Sequence, residues 1–412
     1  MSKDKLIPEL RFPEFRGDAE WDKEVFEDVF DRITKKNNEN NQNVLTISAQ
    51  LGLVSQLEYF NKSISAKDVT GYYLLQKGDF AYNKSYSKGY PMGAIKPLKN
   101  YEKGVVSTLY ICFRAKDGYN PSFFDQYFDA GLLNTEISNI AQEGGRAHGL
   151  LNVRVKEFFK EIKLLVPNPQ EQQKIASCLS SLDELIAAHN DKLDALKDHK
   201  KGLLQNLFPQ EGETVPKVRF PEFEGDGDWN ETTLEQVADY QNGKAHEKDI
   251  DENGDYIVVN SKFISTEGET VKYSDTAFCL ANLGNILMVL SDVPNGKAIA
   301  KCFYVEEDNR YSVNQRICRI TATDCDSRFL FYIMDRNAYF LSFDDGVKQT
   351  NLRKSDVLEF PFRIPTDPIE QTKIASCISA VDELIKAQTK KIEELYQHKR
   401  GLMQGLFPKI ES

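Results

Sequence analysis

Two long stretches of the chain place apolar residues alternately four and three positions apart. In the first, Ile175, Leu182, His189, Leu196 and Leu203 stand at seven-residue steps, and Leu179, Ile186, Leu193, Lys200 and Leu207 form the interleaved set. In the second, Ile374, Val381, Gln388, Leu395 and Leu402 alternate with Ile378, Ile385, Ile392, Lys399 and Leu406. This spacing lines one seam of a helix with apolar side chains, the pattern of a coiled coil. Proline suits a first helical turn and stops a last one, so the helices are expected to begin just after Pro169 and Pro368 and to end near Leu-Phe-Pro at 207–209 and 406–408. Each would be roughly 55 Å long. Gly202 and Gly401 would weaken the last turns or mark a close approach. The polar interruptions coincide, His189 with Gln388 and Lys200 with Lys399. Setting the pairing register is preferred for them over facing a partner.

The two helices are copies. Lys174–Pro209 returns without a gap as Lys373–Pro408, 199 residues on, with 21 of 36 positions identical. Pro8-Glu-Leu-Arg-Phe-Pro-Glu-Phe15 likewise returns as Pro216-Lys-Val-Arg-Phe-Pro-Glu-Phe223, 208 residues on, and each copy then reaches a tryptophan, Trp21 or Trp229. The segments between these echoes hardly match. A chain that repeats its edges and varies its middles suggests one scaffold carrying two different readers. An approximate two-fold arrangement would make the helices antiparallel. A circular layout would seat the first Arg-Phe-Pro-Glu-Phe block against the C-terminal helix, with Phe12 and Phe15 near residues 402–408.

The middles carry β-branched and aromatic runs bounded by Gly, Asn, Asp and Pro, at Val44–Ser48, Val105–Phe113, Tyr256–Val259, Ala298–Val305 and Ile317–Thr321. These predict strands. Pro121–Ala130 and Ser327–Leu341 predict helices. The expected fold class is α+β: two mixed α/β domains joined by two long helices in an antiparallel coiled coil, pseudo-two-fold symmetric. The domains are expected at 1–165 (with a scaffold segment at 1–22) and 213–362, and the helical regions at 166–212 and 363–412.

Length and composition fit this reading. A prior of roughly 150 residues per domain gives two to three domains in 412 residues. Apolar runs such as Ile286–Leu290 are far too short for a membrane span, and the start Met1-Ser-Lys-Asp-Lys lacks a signal peptide's apolar core. Seven cysteines without a C-x-x-C pair suit reduced thiols, so a cytoplasmic protein with no membrane partner is expected. The net charge of −11 argues mildly against nucleic acid, but a global balance says little about a local surface. Within Gly71–Tyr110 six lysines (77, 84, 88, 96, 99, 103) face only Asp79 and Glu102.

Catalytic and metal signatures are missing from the sequence. There is no phosphate loop, no H-E-x-x-H and no G-x-S-x-G. Asn168-Pro169 and Asp367-Pro368 lack the second proline of an amino methyltransferase motif, and no glycine-rich loop for S-adenosylmethionine follows a strand. The Glu-x-Lys of Glu161-Ile-Lys163 has no paired upstream aspartate in an obvious motif, and a solvated amphipathic segment explains it better. No catalytic residue and no metal ligand are therefore assigned. The balance favours a binding protein.

Binding chemistry concentrates in loops. Tyr82-Asn-Lys-Ser-Tyr-Ser-Lys-Gly-Tyr-Pro-Met-Gly93 carries cations for phosphates, Asn, Ser and Tyr for hydrogen bonds, and glycines for close backbone approach. Its bland alternative is a solvated surface loop. Asn83, Lys84, Ser85, Tyr86, Lys88, Tyr90 and Lys96 are the candidate DNA contacts there. Ser291–Lys297 holds the same place in the second copy, contributing Asn295 and Lys297, with Asn260 and Lys262 after the strand Tyr256–Val259. Gly144–Gly149 and Asp345–Thr350 also fall in register, and they supply Arg146, His148, Lys348 and Gln349. Arginine suits guanine and glutamine suits adenine in the major groove. Asn152/Arg154 and Asn351/Arg353 are shared by both copies, which favours a structural or phosphate role.

The chain resembles the specificity subunit of type I restriction–modification systems. The carriers are the P-x-x-x-E-Q segments (Pro167–Gln172, and Pro365–Gln371 with one extra residue), the K-I-A-S-C helices continuing through L-D-E-L-I or V-D-E-L-I, their H-K-[K/R]-G-L-x-Q-x-L-F-P ends and the paired R-F-P-E-F starts. The resemblance covers essentially the full length and is weakest in the middles. It implies two target recognition domains, each reading one half of a split double-stranded DNA sequence, with the helices as spacer and no active site in this chain. It also implies two modification subunits carrying S-adenosylmethionine and restriction subunits using ATP and Mg²⁺. The chain itself would hold no cofactor. Two other readings stay open: a coiled-coil adaptor that reads no DNA, and a DNA-modifying enzyme whose motif is unrecognised.

Overall fold

The computed structural model describes residues 6–48, 51–60, 68–141, 151–293 and 296–408. The chain divides into two units: Met1–Asn190 with Lys390–Ser412, and Asp191–Thr389. The sequence pattern sets the long helices apart as regions of their own. Each unit instead takes a portion of both helices, because the seam residues complete its core.

Unit 1 is built on an antiparallel sheet in the order Phe30–Arg32, Ile111–Ala115, Phe80–Asn83, Ala94–Pro97. Successive strand side chains point to opposite faces, and two cores result. Phe80, Tyr82, Ile111 and Phe113 face an aromatic core with the helices Pro121–Asp129 and Val155–Lys160. Ala81 and Cys112 face a second core of Leu45, Leu53, Leu75, Leu98 and Val106, contributed largely by the hairpin pairs Leu45–Ser48/Gly52–Ser55 and Tyr73–Gln76/Lys103–Val106. Unit 2 repeats the plan with the sheet order Ala238–Asn242, Ile317–Ala322, Ile286–Val289, Cys302–Tyr304. Ile286 and Met288 enter one core, Leu287 and Val289 the other. Its second core is covered by four strands rather than two pairs, with Tyr256–Val259 parallel to Tyr311–Val313.

The helices run Pro169–Asn206 and Pro368–Leu406, as the proline positions predict. No residue of either seam is fully exposed. In unit 1, Ile175, Ala176 and Leu179 share a core with Leu402, Met403, Leu406 and Phe407, and further along Asp183 pairs with Lys399 (2.5 Å). One number rises as the other falls, so these segments are antiparallel. Unit 2 shows the same in mirror order: Ile374, Ala375 and Ile378 meet Leu203, Leu204, Leu207 and Phe208, and Lys200 pairs with Asp382 (2.7 Å). Each seam lysine thus meets an aspartate of the opposing segment, which supports the register role.

The repeated motifs form one clamp, built twice. Arg11 donates Nε and Nη2 to Glu171 (2.8 and 2.7 Å), and Arg219 does the same to Glu370 (2.8 and 2.8 Å). Gln172 donates to the Pro167 carbonyl and accepts from the Asn120 amide, the N-cap of Pro121–Asp129. Gln371 donates to the Pro365 carbonyl and accepts from the Asp326 amide, the N-cap of Ser327–Met334. Lys174 lies over the Phe12 ring and pairs with Glu14, and Lys373 lies over Phe220 and pairs with Glu222. Trp21 packs against Phe123 and Phe407, and Trp229 against Phe329 and Phe208. The Leu10 amide donates to the Gly405 carbonyl, and Phe12 packs on the core that holds Leu402 and Met403. The circular layout therefore holds at Phe12.

Several local expectations change. Val105–Phe113 is not one strand: a turn with Tyr110 N–H bonded to the Ser107 carbonyl splits it between two sheets. Ser327–Leu341 breaks at Asp335–Asn337, where Arg336 is left-handed (φ 54°). In Ala298–Val305 only Cys302–Tyr304 is strand, because the Ala298 and Ile299 amides bind the Asp292 carboxylate instead of a neighbour. Gly202 and Gly401 face open space, and the close approach is at Gly405, against Leu10.

Candidate nucleic-acid interface

In both units the loop leaving the third sheet strand is joined to the segment entering the helix Val155–Lys160 or Lys354–Leu358. In unit 1 the Leu151 amide donates to the Lys84 carbonyl (3.0 Å). In unit 2 Ser291–Asp292 and Thr350–Asn351 form a two-stranded antiparallel ladder. The loops that fall in register in the sequence are thus neighbours in space, and each unit presents one composite edge.

The residues at these edges differ. In unit 1 Tyr86 and Lys88 are exposed, Asn83, Lys84 and Ser85 are half-buried, and Asn83 Oδ1 accepts from the Ser85 amide. Tyr90 and Lys96 belong to the interior: Lys96 is buried, paired with Asp129 and hydrogen-bonded to the Tyr90 hydroxyl (3.0 Å). Burial disfavours the Lys96 ammonium, yet the Asp129 and Tyr90 interactions hold its pKa above the usual lysine value. Arg146, His148 and Asn295 lie outside the described residues.

In unit 2 Gln349 and Asn351 are exposed beside the ladder. Gln349 Nε2 donates to Ser291 Oγ (2.7 Å) and Asn351 Oδ1 (3.2 Å), which fixes the amide at the edge. Lys348 is exposed on a turn whose Asp345 carboxylate accepts the Val347 and Lys348 amides, and these bonds hold Asp345 below the usual carboxylate range. Lys297 is exposed, and its carbonyl accepts from Arg336. Asn260 is a helix cap, accepting from the Phe263 amide, and exposed Lys262 follows it. These two sit at the end of a strand in the other sheet, away from the ladder's own hydrogen bonds.

Four of the six lysines of residues 71–110 are matched by acids, three of them from outside the window. Lys77 pairs with Glu102, Lys96 with Asp129, Lys99 with Asp125 and Lys103 with Glu39. Lys84 and Lys88, in the loop after Phe80–Asn83, are the two of the six with no acid partner among the described residues. One further cation escapes sequence reasoning: the Arg316 carbonyl accepts from the Leu290 amide, which sets exposed Arg316 beside the unit 2 edge. The Asn314-Gln-Arg break between two strand runs is the signal that could have found it. Among the described residues no three His, Cys, Asp or Glu side chains converge to hold a metal ion, and no helix is long and apolar enough to cross a membrane.

A family model described as type I restriction modification DNA specificity domain matches residues 19–198 and again 226–397, most of the chain. The chain belongs to this family. It is a type I specificity subunit with two DNA recognition domains, and the two matched segments each contain one composite edge. The MjaVIII specificity subunit of Methanocaldococcus jannaschii is 26% identical over 320 residues, 73% of each chain. The putative MjaX specificity subunit of the same organism is 22% identical over 256 residues, 60% of this chain and 58% of that one. The crystal structure of the type I S subunit from M. genitalium shares the fold, with a TM-score of 0.60 at 14% identity, covering 98% of this chain and all of that one. A chain from a structural study of complex assembly and conformational transition in the type I system matches with TM-score 0.56 at 14% identity, over 94% and 97%.

Proposed function

We propose that this specificity subunit reads an asymmetric, two-part sequence in double-stranded DNA, one part with each unit, and performs no chemistry of its own. The observation that carries the proposal is the composite edge: the same two loops converge in both units on matching main-chain hydrogen bonds, yet where unit 1 has Lys84, Tyr86 and Lys88 the 208-residue shift gives Asp292, Pro294 and Gly296 in unit 2. A shared frame with different side chains reads two different half-sites. Direct readout needs such donors and acceptors at base edges, and phosphate contacts supply the register.

Catalysis in this proposal belongs to partners: two modification subunits with S-adenosylmethionine that methylate adenine, and restriction subunits that use ATP and Mg²⁺, all in the cytoplasm. A repeated helix face supports a partner present in two copies. Ser177, Ser181, Leu185 and Ala188 form an exposed i, i+4, i+8, i+11 stripe off the seam of the first long helix. Ser376, Ala380, Leu384 and Ala387 form the same stripe on the second, with Leu185 and Leu384 44% and 55% exposed. The deciding experiment maps methylated adenines in cells carrying this chain with its modification subunit, before and after residues 345–351 are replaced. One half of the recognised sequence should change and the other should persist. An unchanged target, or one altered in both halves, would refute the assignment of one half-site to each unit.

A further inference from the structure

Unit 1 carries a second charged feature, close in sequence to its reading edge. A groove of about 430 Å³ runs between residues 27–32 and the helix Val155–Lys160. Its lining includes Phe159, the cations Arg32, Lys156 and Lys160, and the carboxylates Glu27 and Asp31. All three cations are exposed, and none has an ion-pair or hydrogen-bond partner for its side chain among the described residues. Lys35, Lys77, Lys96, Lys99, Lys103, Arg114 and Lys174 of this unit are each matched by an acid, so these three join Lys84 and Lys88 among its unmatched cations. Asp31 is itself shared with Lys116 (3.8 Å).

The groove is tied to the edge by chain geometry. Its helix begins at Val155, four residues after the Leu151 amide that binds the Lys84 carbonyl. Lys156 and Lys160 are an i, i+4 pair, so their Cβ atoms lie about 5–6 Å apart on one face. The unit 2 counterparts, by the same shifts of 208 and 199 residues, are Tyr240 for Arg32, Ser355 for Lys156 and Glu359 for Lys160. None of these three counterparts is a cation, and the one cation beside them is Lys354, which lies over the Tyr240 ring.

We propose that this groove holds the sugar-phosphate backbone of duplex DNA beside the half-site read by unit 1, with Arg32, Lys156 and Lys160 contacting phosphates. Unit 2 has one cation there, Lys354, against three in unit 1, so backbone contacts are lopsided toward the first half-site. The inference rests on the DNA-reading function proposed above and adds its register-setting contacts. An acidic protein segment is the competing occupant.

The test is the salt dependence of binding by the full-length chain to a random-sequence 40-base-pair duplex. Each lost phosphate contact should flatten the slope of log K against log salt by about 0.9. Lys156→Ala/Lys160→Ala should flatten it by about 2, and adding Arg32→Ala by about 3, with an unchanged thermal melt. The matched unit 2 variant Ser355→Ala/Glu359→Ala should alter it by less than 1. A double-variant slope within 0.5 of wild type would overturn the groove while leaving the reading function intact. Wild-type protein that binds no duplex at all would overturn both. Weakened association with the modification subunit at an unchanged DNA slope would assign the groove to a protein partner and refute the proposal.

Discussion

Glu171 and Glu370 are buried carboxylates, 1% and 0% exposed at their side chains, and each is held by one arginine in a two-bond fork. Fork geometry is what makes arginine rather than lysine fit both sites. Removing one member of such a pair leaves an uncompensated buried charge, which costs about 3–5 kcal/mol. Arg11→Ala should therefore destabilise unit 1 by that amount, and Arg219→Ala should do the same to unit 2. Hydrogen exchange followed by mass spectrometry would read each unit separately, and equal loss of protection in both units for either variant would contradict the assignment. Arg→Lys at either position should recover only part of the loss. The tryptophans tell a related story. The indole N–H groups of Trp21 and Trp229 are both buried without a hydrogen-bond acceptor, against two aromatic rings each. A cost carried identically in both copies marks these rings as packing anchors of the clamp.

Among the elements, the long helices were the most legible and the reading loops the least. The seam is periodic, and a proline starts each helix and stops it, so pattern alone located Pro169–Asn206 and Pro368–Leu406 almost to the residue. The breaks at Ser107–Tyr110 and at Arg336 fall on polar interruptions of only two and three residues, Ser107-Thr108 and Asp335-Arg-Asn337, too short to read as boundaries; a local turn closes the first, and at the second the Arg336 amide bonds to the Ala300 carbonyl. The same limit explains the candidate site. The pairing of 291–292 with 350–351 is visible as register between copies, but which lysines remain free is not. Lys96, Lys99 and Lys103 find acids 26 to 64 residues away in sequence, which no local charge count detects. The stripe at Leu185 and Leu384 was also hidden, since leucine off the seam looks like ordinary helix-forming sequence. Leu185→Asp with Leu384→Asp should leave the melting temperature within a few degrees of wild type and abolish co-purification of the modification subunit. Retention of that subunit at wild-type stoichiometry would rule the stripe out as its seat.

For the molecule as a whole, the division into units is not a division of the chain at its middle. Unit 2 is one continuous piece, 191–389, whereas unit 1 needs 1–190 and 390–412 together. Leu406 and Phe407 sit in the unit 1 core with Trp21, Phe123 and Ile175, so residues 1–190 alone would expose an aromatic cleft. A fragment spanning 191–389 is expected to melt cooperatively and give dispersed amide spectra. A fragment spanning 1–190 should be aggregation-prone until the peptide 390–412 is supplied. Cooperative melting of 1–190 without that peptide would refute the closure.

The clamp that binds Leu10 to Gly405 also fixes an order of events during synthesis. Synthesis runs from the N-terminal to the C-terminal side, yet the unit that begins first cannot finish until the helix turn at Leu406 emerges. Unit 2, started later, has all its parts once residue 389 is out. The second recognition domain is therefore complete before the first, and a chain cut short between residues 390 and 405 would carry one finished domain and one open one. Half-made subunits would thus be marked by a defect at the end made first.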